Sequence, residues 1–191
     1  MDLRDWLADD LEAVRTRFDA AVASQVPETR WRERADGGGS SLAALLLHVT
    51  VHQDLAVHTA LAGRPPRFTV EAAALGLARG ASPLASLQEA EDVDVTSSLD
   101  LPALGRYAAD VHRDARAMLA ELDVNELATV ADAAGRLADV GGVPHEDAPW
   151  LHAMWSGKPA AWFVRWEVIG HAQGHVGEMV SVRDRLGYRP F

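Results

Sequence analysis

Apolar residues recur at helical spacing along most of the chain. The first such stretch predicts a helix from about Asp2 to Ala23, because its apolar residues lie three or four positions apart and its charged residues fall on the opposite face. Those apolar residues are Leu3, Leu7, Leu11, Val14, Phe18 and Val22. Patterns typical of β-strands are almost missing from the sequence, which has one isoleucine, Ile169, and no alternating run of branched and aromatic residues. The chain is therefore expected to be all-α.

Three further long helices are expected, each with its own start and stop signals. Serine and aspartate are good helix caps, proline suits the first helical turn, and glycine often follows a helix end. Pro102 and Pro159 stand in such first turns, and Gly63 follows such an end. We place the second helix from Ser40 or Ser41 to about Leu61, the third from Asp100 to about Leu122, and the fourth from Ser156 or Gly157 to about Leu186.

The connections between these helices show shorter patterns. We expect a crossover with broken helix over Phe68–Ser98, with helical patterns at Val70–Ala78 and Leu84–Ala90, then a short helix over Glu126–Ala138 and an ordered irregular loop over Val143–Lys158. That loop contains Trp150 and Trp155, and packed loops often form one wall of a site. Four long helices with long crossover connections and short extra helices predict a four-helix bundle, forming a single domain over residues 1–191.

Composition excludes several classes of function. The chain has no cysteine, so disulfides, zinc–thiolate sites and thiol nucleophiles are ruled out. Its net charge is −10 and it has no basic block, which argues against binding to nucleic acid. No apolar stretch approaches the roughly 18 residues that a membrane span needs, and the first residues lack the pattern of a secretion signal. We therefore expect a cytoplasmic protein that binds neither nucleic acid nor membrane.

Two pairs of histidines carry the candidate chemistry. His48 and His52 stand four positions apart on the second predicted helix, and His171 and His175 have the same spacing on the last. Residues four apart share one face of a helix, so each pair can reach a single cation, and facing helices of bundles commonly build metal sites. We interpret the remaining histidines as core or surface residues: His58, His112, His145 and His152.

Three segments of the sequence resemble the DinB-like superfamily of bacterial four-helix metalloproteins. They are Leu46–Val49 (LLHV), Gly170–Glu178 (GHAQGHVGE) and Arg183–Gly187 (RDRLG), of which the second is the most specific. In that superfamily a histidine of the second helix joins an HxxxH pair of the fourth to bind a divalent metal, often zinc or nickel. The resemblance thus implies that the metal ligands are His48, His171 and His175.

Two alternatives to this ligand set stay open at the level of sequence. His52 could replace or supplement His48, although His48 follows the leucine run as the family motif does. Glu167 and His171 resemble the Glu-x-x-x-His pair of mycothiol-dependent maleylpyruvate isomerase, a branch of the same superfamily. That resemblance gives a second set, consisting of His48, Glu167 and His171. We favour the three-histidine set, with Glu167 beside it.

The resemblance also implies a class of reaction. Three neutral ligands leave one position open, as in catalytic zinc sites, and many relatives use low-molecular-weight thiols such as mycothiol or bacillithiol. We therefore predict a thiol S-transferase or isomerase with an unidentified small-molecule substrate, with Glu178 and His52 as candidate acid/base groups. Trp150 and Trp155 are expected to help enclose the thiol cofactor. A homodimer is a candidate assembly.

Two other functions compete with this prediction. One is a stress-associated protein that binds a metal or small ligand without turnover. The other is a metal-free helical interaction module, in which the histidines belong to the core.

Overall fold

Helices account for most of the fold. The structure is a computed structural model that describes residues 2–36, 38–77 and 95–189. The first half contains α1 (Leu3–Phe18) with a π-helical end (Asp19–Ala23), a 3₁₀ turn (Glu28–Arg30), α2 (Leu42–Asp54) with a π-helical end (Leu55–Leu61), and α3 (Phe68–Glu71). The second half contains α4 (Leu101–Ala120), a 3₁₀ turn (Val124–Ala128), α5 (Ala133–Asp139), α6 (Pro149–Trp155), α7 (Ala160–Trp162), a π-helical segment (Phe163–Gly170) and α8 (His171–Arg185).

The expected all-α class is confirmed. Within the described ranges the extended pairing is limited to one isolated bridge between Val130 and Pro159. None of the helices found in those ranges is long and apolar enough to cross a membrane.

The long helices pack in a ring, with α2 and α1 each contacting both α4 and α8. Side-chain pairs give their directions. Helix α2 runs parallel to α4, because Asp54 contacts Tyr107 and, one turn later, His58 contacts Asp114. The parallel direction of α2 and α4 requires the chain between them to return along the length of the ring, as the predicted crossover does.

Helix α2 is the most deeply buried element. Every residue from Leu42 to Asp54 is buried except His48, which is partly exposed. The run of leucines before His48 fills the centre of the core, where each buried leucine contributes roughly 1.5–3 kcal/mol. This burial on all sides explains why α2 has no clear polar face, and it isolates His48 as the one position of the helix that reaches the surface.

Capping residues fix the ends of the long helices where the sequence predicts. The Ser41 side chain accepts a hydrogen bond from the Ala44 amide at 3.2 Å, and the Asp100 carboxylate accepts one from the Ala103 amide at 2.7 Å. Gly63 follows α2 with a φ of +65°, a conformation that favours glycine. The predicted starts of the second and third helices are therefore confirmed.

Two predictions near the start of the last long helix were wrong. The Val143–Lys158 segment is not a loop throughout, because Pro149 starts α6 and the apolar faces of Leu151 and Trp155, four residues apart, are buried. The last long helix begins at Ala160, since Gly157 has a φ of +69° and ends the preceding turn.

The predicted short helix Glu126–Ala138 is also wrong, because it is divided in two. Asp132 caps α5 by accepting a hydrogen bond from the Gly135 amide, so the chain is extended before it. Of the two helical patterns in the crossover, the first is limited to α3 followed by turns. The pattern at Leu84–Ala90 lies outside the described residues.

A buried carboxylate joins α2, α4 and the start of α3. Asp54 accepts hydrogen bonds from the Tyr107 hydroxyl at 2.6 Å and from the amides of Arg67 at 3.0 Å and Phe68 at 2.8 Å, and it lies 2.5 Å from His58 Nδ1. Burial and the neighbouring Asp54 carboxylate raise the pKa of the Tyr107 hydroxyl well above its usual value, so it remains a donor. These contacts hold the start of the crossover against the core.

Tyr107→Phe is expected to lower the free energy of unfolding by ~1.5–3 kcal/mol, because a hydrogen bond to a buried carboxylate is lost without replacement. Denaturant unfolding monitored by circular dichroism measures the change. Tyr188→Phe is the matched control, since the Tyr188 hydroxyl is partly exposed and only meets Arg30 Nη1 at 3.3 Å. Equal losses in the two variants would contradict this assignment.

Candidate metal centre

Histidines of α2 and α8 meet where these antiparallel helices face each other. His171 Nε2 lies 3.3 Å from His48 Nε2 and 3.0 Å from His175 Nε2. One ligand nitrogen from each of the three residues lies within 4.8 Å of the others. We call His48, His171 and His175 the outer set, because all three are partly exposed. The structure thus brings together the three ligands that the sequence predicts.

The spacing of these nitrogens suits one cation. Ligands 2.0–2.1 Å from a tetrahedral zinc ion are separated by about 3.3 Å from one another. Both measured separations in the outer set are near this value. Imidazole nitrogens at such distances repel through their lone pairs unless a proton or a cation lies between them. The outer set could therefore hold a divalent metal ion with little rearrangement.

Burial keeps the imidazoles of His48 and His171 neutral. Desolvation, followed by the neighbouring histidines, lowers the pKa of His48 to about 2 and that of His171 to about 3. Because both values lie far below neutral pH, both rings offer a lone pair to a cation at pH 7 without first losing a positive charge.

A second group lies deeper beside the first. Glu167 is completely buried, and its Oε1 accepts a hydrogen bond from Trp155 Nε1 at 2.7 Å. Its Oε2 lies 3.1 Å from His52 Nδ1 and 3.8 Å from His171 Nδ1. We call His52, Glu167 and His171 the inner set, since they too offer ligand atoms within 4.8 Å of one another. The alternative ligand set from the sequence combines Glu167 with His48 and His171. In the structure Glu167 instead groups with His52 and His171.

The π-helical segment before His171 positions Glu167. In this segment the Val168 carbonyl accepts a hydrogen bond from Gln53 Nε2 at 2.7 Å, which ties the segment to α2. Gly170 closes the segment, and a Cβ at this position would lie 2.9 Å from the Arg165 carbonyl oxygen. π-helical turns are frequent at functional sites, and this one ends directly at a predicted ligand.

Two indole rings border the histidines. The ring of Trp150 lies 6.1 Å from that of His52, and the ring of Trp166 lies 6.0 Å from that of His171, both tilted by 32°. Trp150 is 53% exposed and Trp166 is 43% exposed. These rings give the site an apolar rim that a ligand can reach from solvent.

The other predicted site residues have distinct surroundings. Glu178 is 46% exposed, and its Oε2 lies 2.9 Å from His175 Nδ1. This contact leaves the opposite nitrogen of His175, Nε2, facing His171. Trp155 is completely buried and directs its N–H to Glu167, so it has no face toward solvent.

The remaining histidines lie in other environments. His58 pairs with Asp54 and Asp114 in the core, His152 contacts the Val143 carbonyl, His145 packs beside His152, and His112 meets Glu12.

Sequence analysis missed Trp166 and the contact between Trp155 and Glu167. Trp166 lies one position before Glu167, where a helical wheel drawn with α-helical spacing gives no reason to place it over His171. The contact between Trp155 and Glu167 depends on how α6 packs against the last helix. The only sequence signal for it was a polar Glu167 among the apolar residues Phe163, Val164, Val168 and Ile169.

Replacing His48, His171 or His175 with alanine is expected to abolish tight binding of one equivalent of Zn²⁺, because two nitrogens do not complete the site. Elemental analysis of protein purified without a histidine tag measures the bound metal. A chelator should also lower the melting temperature of the unaltered protein, since a cation that binds only the folded state stabilises it. His112→Ala is the control, and its ring meets only the surface residue Glu12 among carboxylates. A full equivalent retained by His171→Ala would refute the outer set.

Comparison with known proteins identifies the family of the chain. The family model for the DinB superfamily matches residues 10–179, which includes every residue of the outer and inner sets. No curated protein and no solved structure matches the chain. Since the family match covers most of the sequence, the chain belongs to the DinB superfamily.

Proposed function

We propose that this protein is a divalent-metal-dependent enzyme, with zinc or nickel held by the outer set, and that it transfers or isomerises a substrate by means of a low-molecular-weight thiol such as mycothiol or bacillithiol. The observation that carries the proposal is the convergence of three imidazoles, with ligand nitrogens within 4.8 Å of one another, beside a solvent-accessible aromatic rim. Three ligands leave a tetrahedral cation with one further position, which is typical of catalytic sites and not of structural ones.

The absence of cysteine from the chain supports a small-molecule thiol as the source of the nucleophile. A divalent cation bound here would lower the pKa of a coordinating thiol and so supply a nucleophile at neutral pH. The chain itself has no cysteine, so the sulfur has to come from a small molecule. The half-exposed rings of Trp150 and Trp166 offer the apolar surface against which such a molecule and its electrophile can pack.

His52 is the residue that we assign to proton transfer. Its Nδ1 faces the Glu167 carboxylate at 3.1 Å, which favours the tautomer with the proton on Nδ1. Its Nε2 is buried and has no hydrogen-bond partner in the described residues, so its lone pair is free to accept the thiol proton. Glu178, the other candidate acid/base group, faces solvent and orients His175, which supports a positioning role.

Glu167→Gln is expected to weaken binding of the first Zn²⁺ by ~10 to 100-fold, because the buried carboxylate, 3.8 Å from His171 Nδ1, favours the bound cation by its charge without completing the outer set. Isothermal titration of the metal-free protein with Zn²⁺ measures this affinity. Glu121→Gln is the control, because this carboxylate on the surface at the end of α4 is exposed and belongs to neither ligand set. Complete loss of the first Zn²⁺ from Glu167→Gln would instead make Glu167 a ligand of that ion.

Protein loaded with Co²⁺ and titrated with mycothiol, bacillithiol or glutathione is expected to develop a sulfur-to-cobalt charge-transfer band with at least one of them. The reason is that a thiolate entering the open position becomes a ligand of the ion. Absorption spectroscopy measures the band, and His171→Ala, which lacks the shared ligand, should show none.

Absence of the band with every thiol, despite full cobalt loading, would refute thiol activation. Thiol binding without turnover of any electrophile would favour the non-catalytic, stress-associated function.

A further inference from the structure

A cavity lies between the C-terminal ends of α2 and α4, apart from the metal centre. Its volume is about 480 Å³, which is within the usual range of sites that hold a small molecule. Of the described residues that line it, none belongs to the outer or the inner set. Along the helix, the first lining residue, Val57, follows His48 by nine positions, or roughly 13 Å. The cavity is therefore a separate candidate site.

Apolar side chains from two helices line this cavity. Val57 and Leu61 come from the π-helical end of α2, whereas Met118 and Leu122 come from the end of α4. Val57 is buried, and the other three side chains are partly exposed. A ligand that covered them would gain from the apolar area that it removes from water.

Charged side chains line the cavity as well. Three carboxylates, those of Asp114, Glu121 and Glu126, stand against one guanidinium, that of Arg64. Three negative charges and one positive charge leave the lining with a net charge of −2. An apolar surface with negatively charged neighbours favours a ligand that has an apolar body and a positive charge.

Two of these carboxylates are available to a ligand. Glu121 forms no ion pair or side-chain hydrogen bond with any other described residue. Glu126 Oε2 accepts a hydrogen bond from the uncharged Thr129 hydroxyl at 2.7 Å. Asp114 is different, because its Oδ2 already lies 2.5 Å from Arg67 Nε. Glu121 and Glu126, which are both exposed, therefore carry the negative charge that a ligand can reach.

The helix ends add to this negative charge. Partial negative charge collects at the C-terminus of a helix, where a cation is stabilising. Since α2 and α4 run parallel, their C-termini lie at the same end of the ring. Arg136 Nη1 covers the end of the π-helical segment by donating to the Ala60 carbonyl at 2.5 Å. The last turn of α4, which lies wholly in the described part of the chain, contains no basic side chain and ends beside Glu121 in the cavity.

We propose that this cavity binds an organic cation, a small molecule with an apolar body and a primary ammonium group. The body packs between Leu61 and Met118, and the ammonium group donates charge-assisted hydrogen bonds to Glu121 and Glu126. Arg64 is exposed and opposes the binding of such a cation by its own positive charge. Because its residues are separate from both ligand sets, this site does not depend on the proposed function.

Isothermal titration of the untagged full-length protein with three probes of similar shape tests the site. The probes are 4-phenylbutylammonium, the uncharged 4-phenylbutanol and the anion 4-phenylbutanoate. The ammonium probe is protonated at pH 7, as a lysine side chain is. We expect it to bind ~10-fold more tightly than the alcohol, because two carboxylates and a helix end favour its charge. The carboxylate probe should bind most weakly.

Two variants that change the charge of the lining in opposite directions sharpen the test. Glu121→Gln should weaken binding of the ammonium probe ~2 to 5-fold, whereas Arg64→Gln should strengthen it by a similar factor. Neither variant should change binding of the alcohol. Both side chains are exposed, so both variants should fold, which circular dichroism checks. Glu28→Gln is the control, because this exposed carboxylate lies near the other end of α2, where the Trp31 carbonyl accepts a hydrogen bond from the Ala43 amide.

A second readout identifies where the probe binds. Met118 lines the cavity, Met154 lies on α6 with Trp150, and Met179 lies in the core. In nuclear magnetic resonance spectra of protein labelled at its methionine methyl groups, the ammonium probe is expected to shift the signal of Met118 and to leave that of Met154 unchanged. The variant Met118→Leu assigns the signal.

Three results would overturn the inference. They are binding of the alcohol or the carboxylate probe as tight as that of the ammonium probe, a shift of the Met154 signal in place of the Met118 signal, and equal affinities for the ammonium probe in Glu121→Gln, Arg64→Gln and the unaltered protein. Failure of the metal centre gives a different result, because loss of zinc in His48→Ala should leave binding of the ammonium probe unchanged.

Discussion

The burial of polar side chains along α2 is the constraint on which the rest of the structure depends. This helix lies against α4, α8 and the π-helical segment before α8 and has almost no surface of its own, yet its second half is polar. A polar group moved out of water is costly unless another group pairs with it. Thr50 pairs within α2, through its hydroxyl and the Leu46 carbonyl, but the other buried polar groups take partners from neighbouring elements. The pairs are His48 with His171, His52 with Glu167, Gln53 with the Val168 carbonyl, Asp54 with Tyr107, and His58 with Asp114.

The parts of the fold that could be predicted from sequence are those with local physical signals. Regular apolar spacing predicts the first helix. Ser41 and Asp100 mark the starts of two further helices by local hydrogen bonds. Four-residue spacing predicted the two histidine pairs, because such spacing is a property of each helix alone, and the resemblance to the DinB-like superfamily then selected His48, His171 and His175. By contrast, α6 was missed because Pro149 and the two tryptophans of its segment are equally typical of a packed loop, and only the burial of Leu151 and Trp155 distinguishes the two.

Other features of the site depend on long-range packing and had no signal in the sequence. The partner of Glu167 could not be assigned, since His48 and His52 lie on one face of α2 and the relative axial position of α2 and α8 decides between them. The same position gives the outer set to His48 and the inner one to His52. It also crowds several imidazoles together, and the desolvation that lowers the pKa values of His48 and His171 leaves these two rings neutral and able to bind a cation. Among the described residues, His52 Nε2 and His171 Nδ1 have no hydrogen-bond partner although both atoms are buried, and such unpaired atoms lower the stability of the fold.

The winding of the last long helix affects how its metal-ligating side chains line up along the helix axis. In a regular α-helix, residues four positions apart drift by about 40° around the axis, so Glu167, His171 and His175 would form a spiral and not a column. The π-helical segment is wound more loosely, so the same four-residue step drifts in the opposite sense over Phe163–Gly170. The drift before His171 is thereby offset by the drift after it, and one helix presents a straight column of three metal-ligating side chains to α2. The angular alignment of the two ligand sets is thus a property of the backbone, held in place where Gly170 lets the chain pass close to the Arg165 carbonyl.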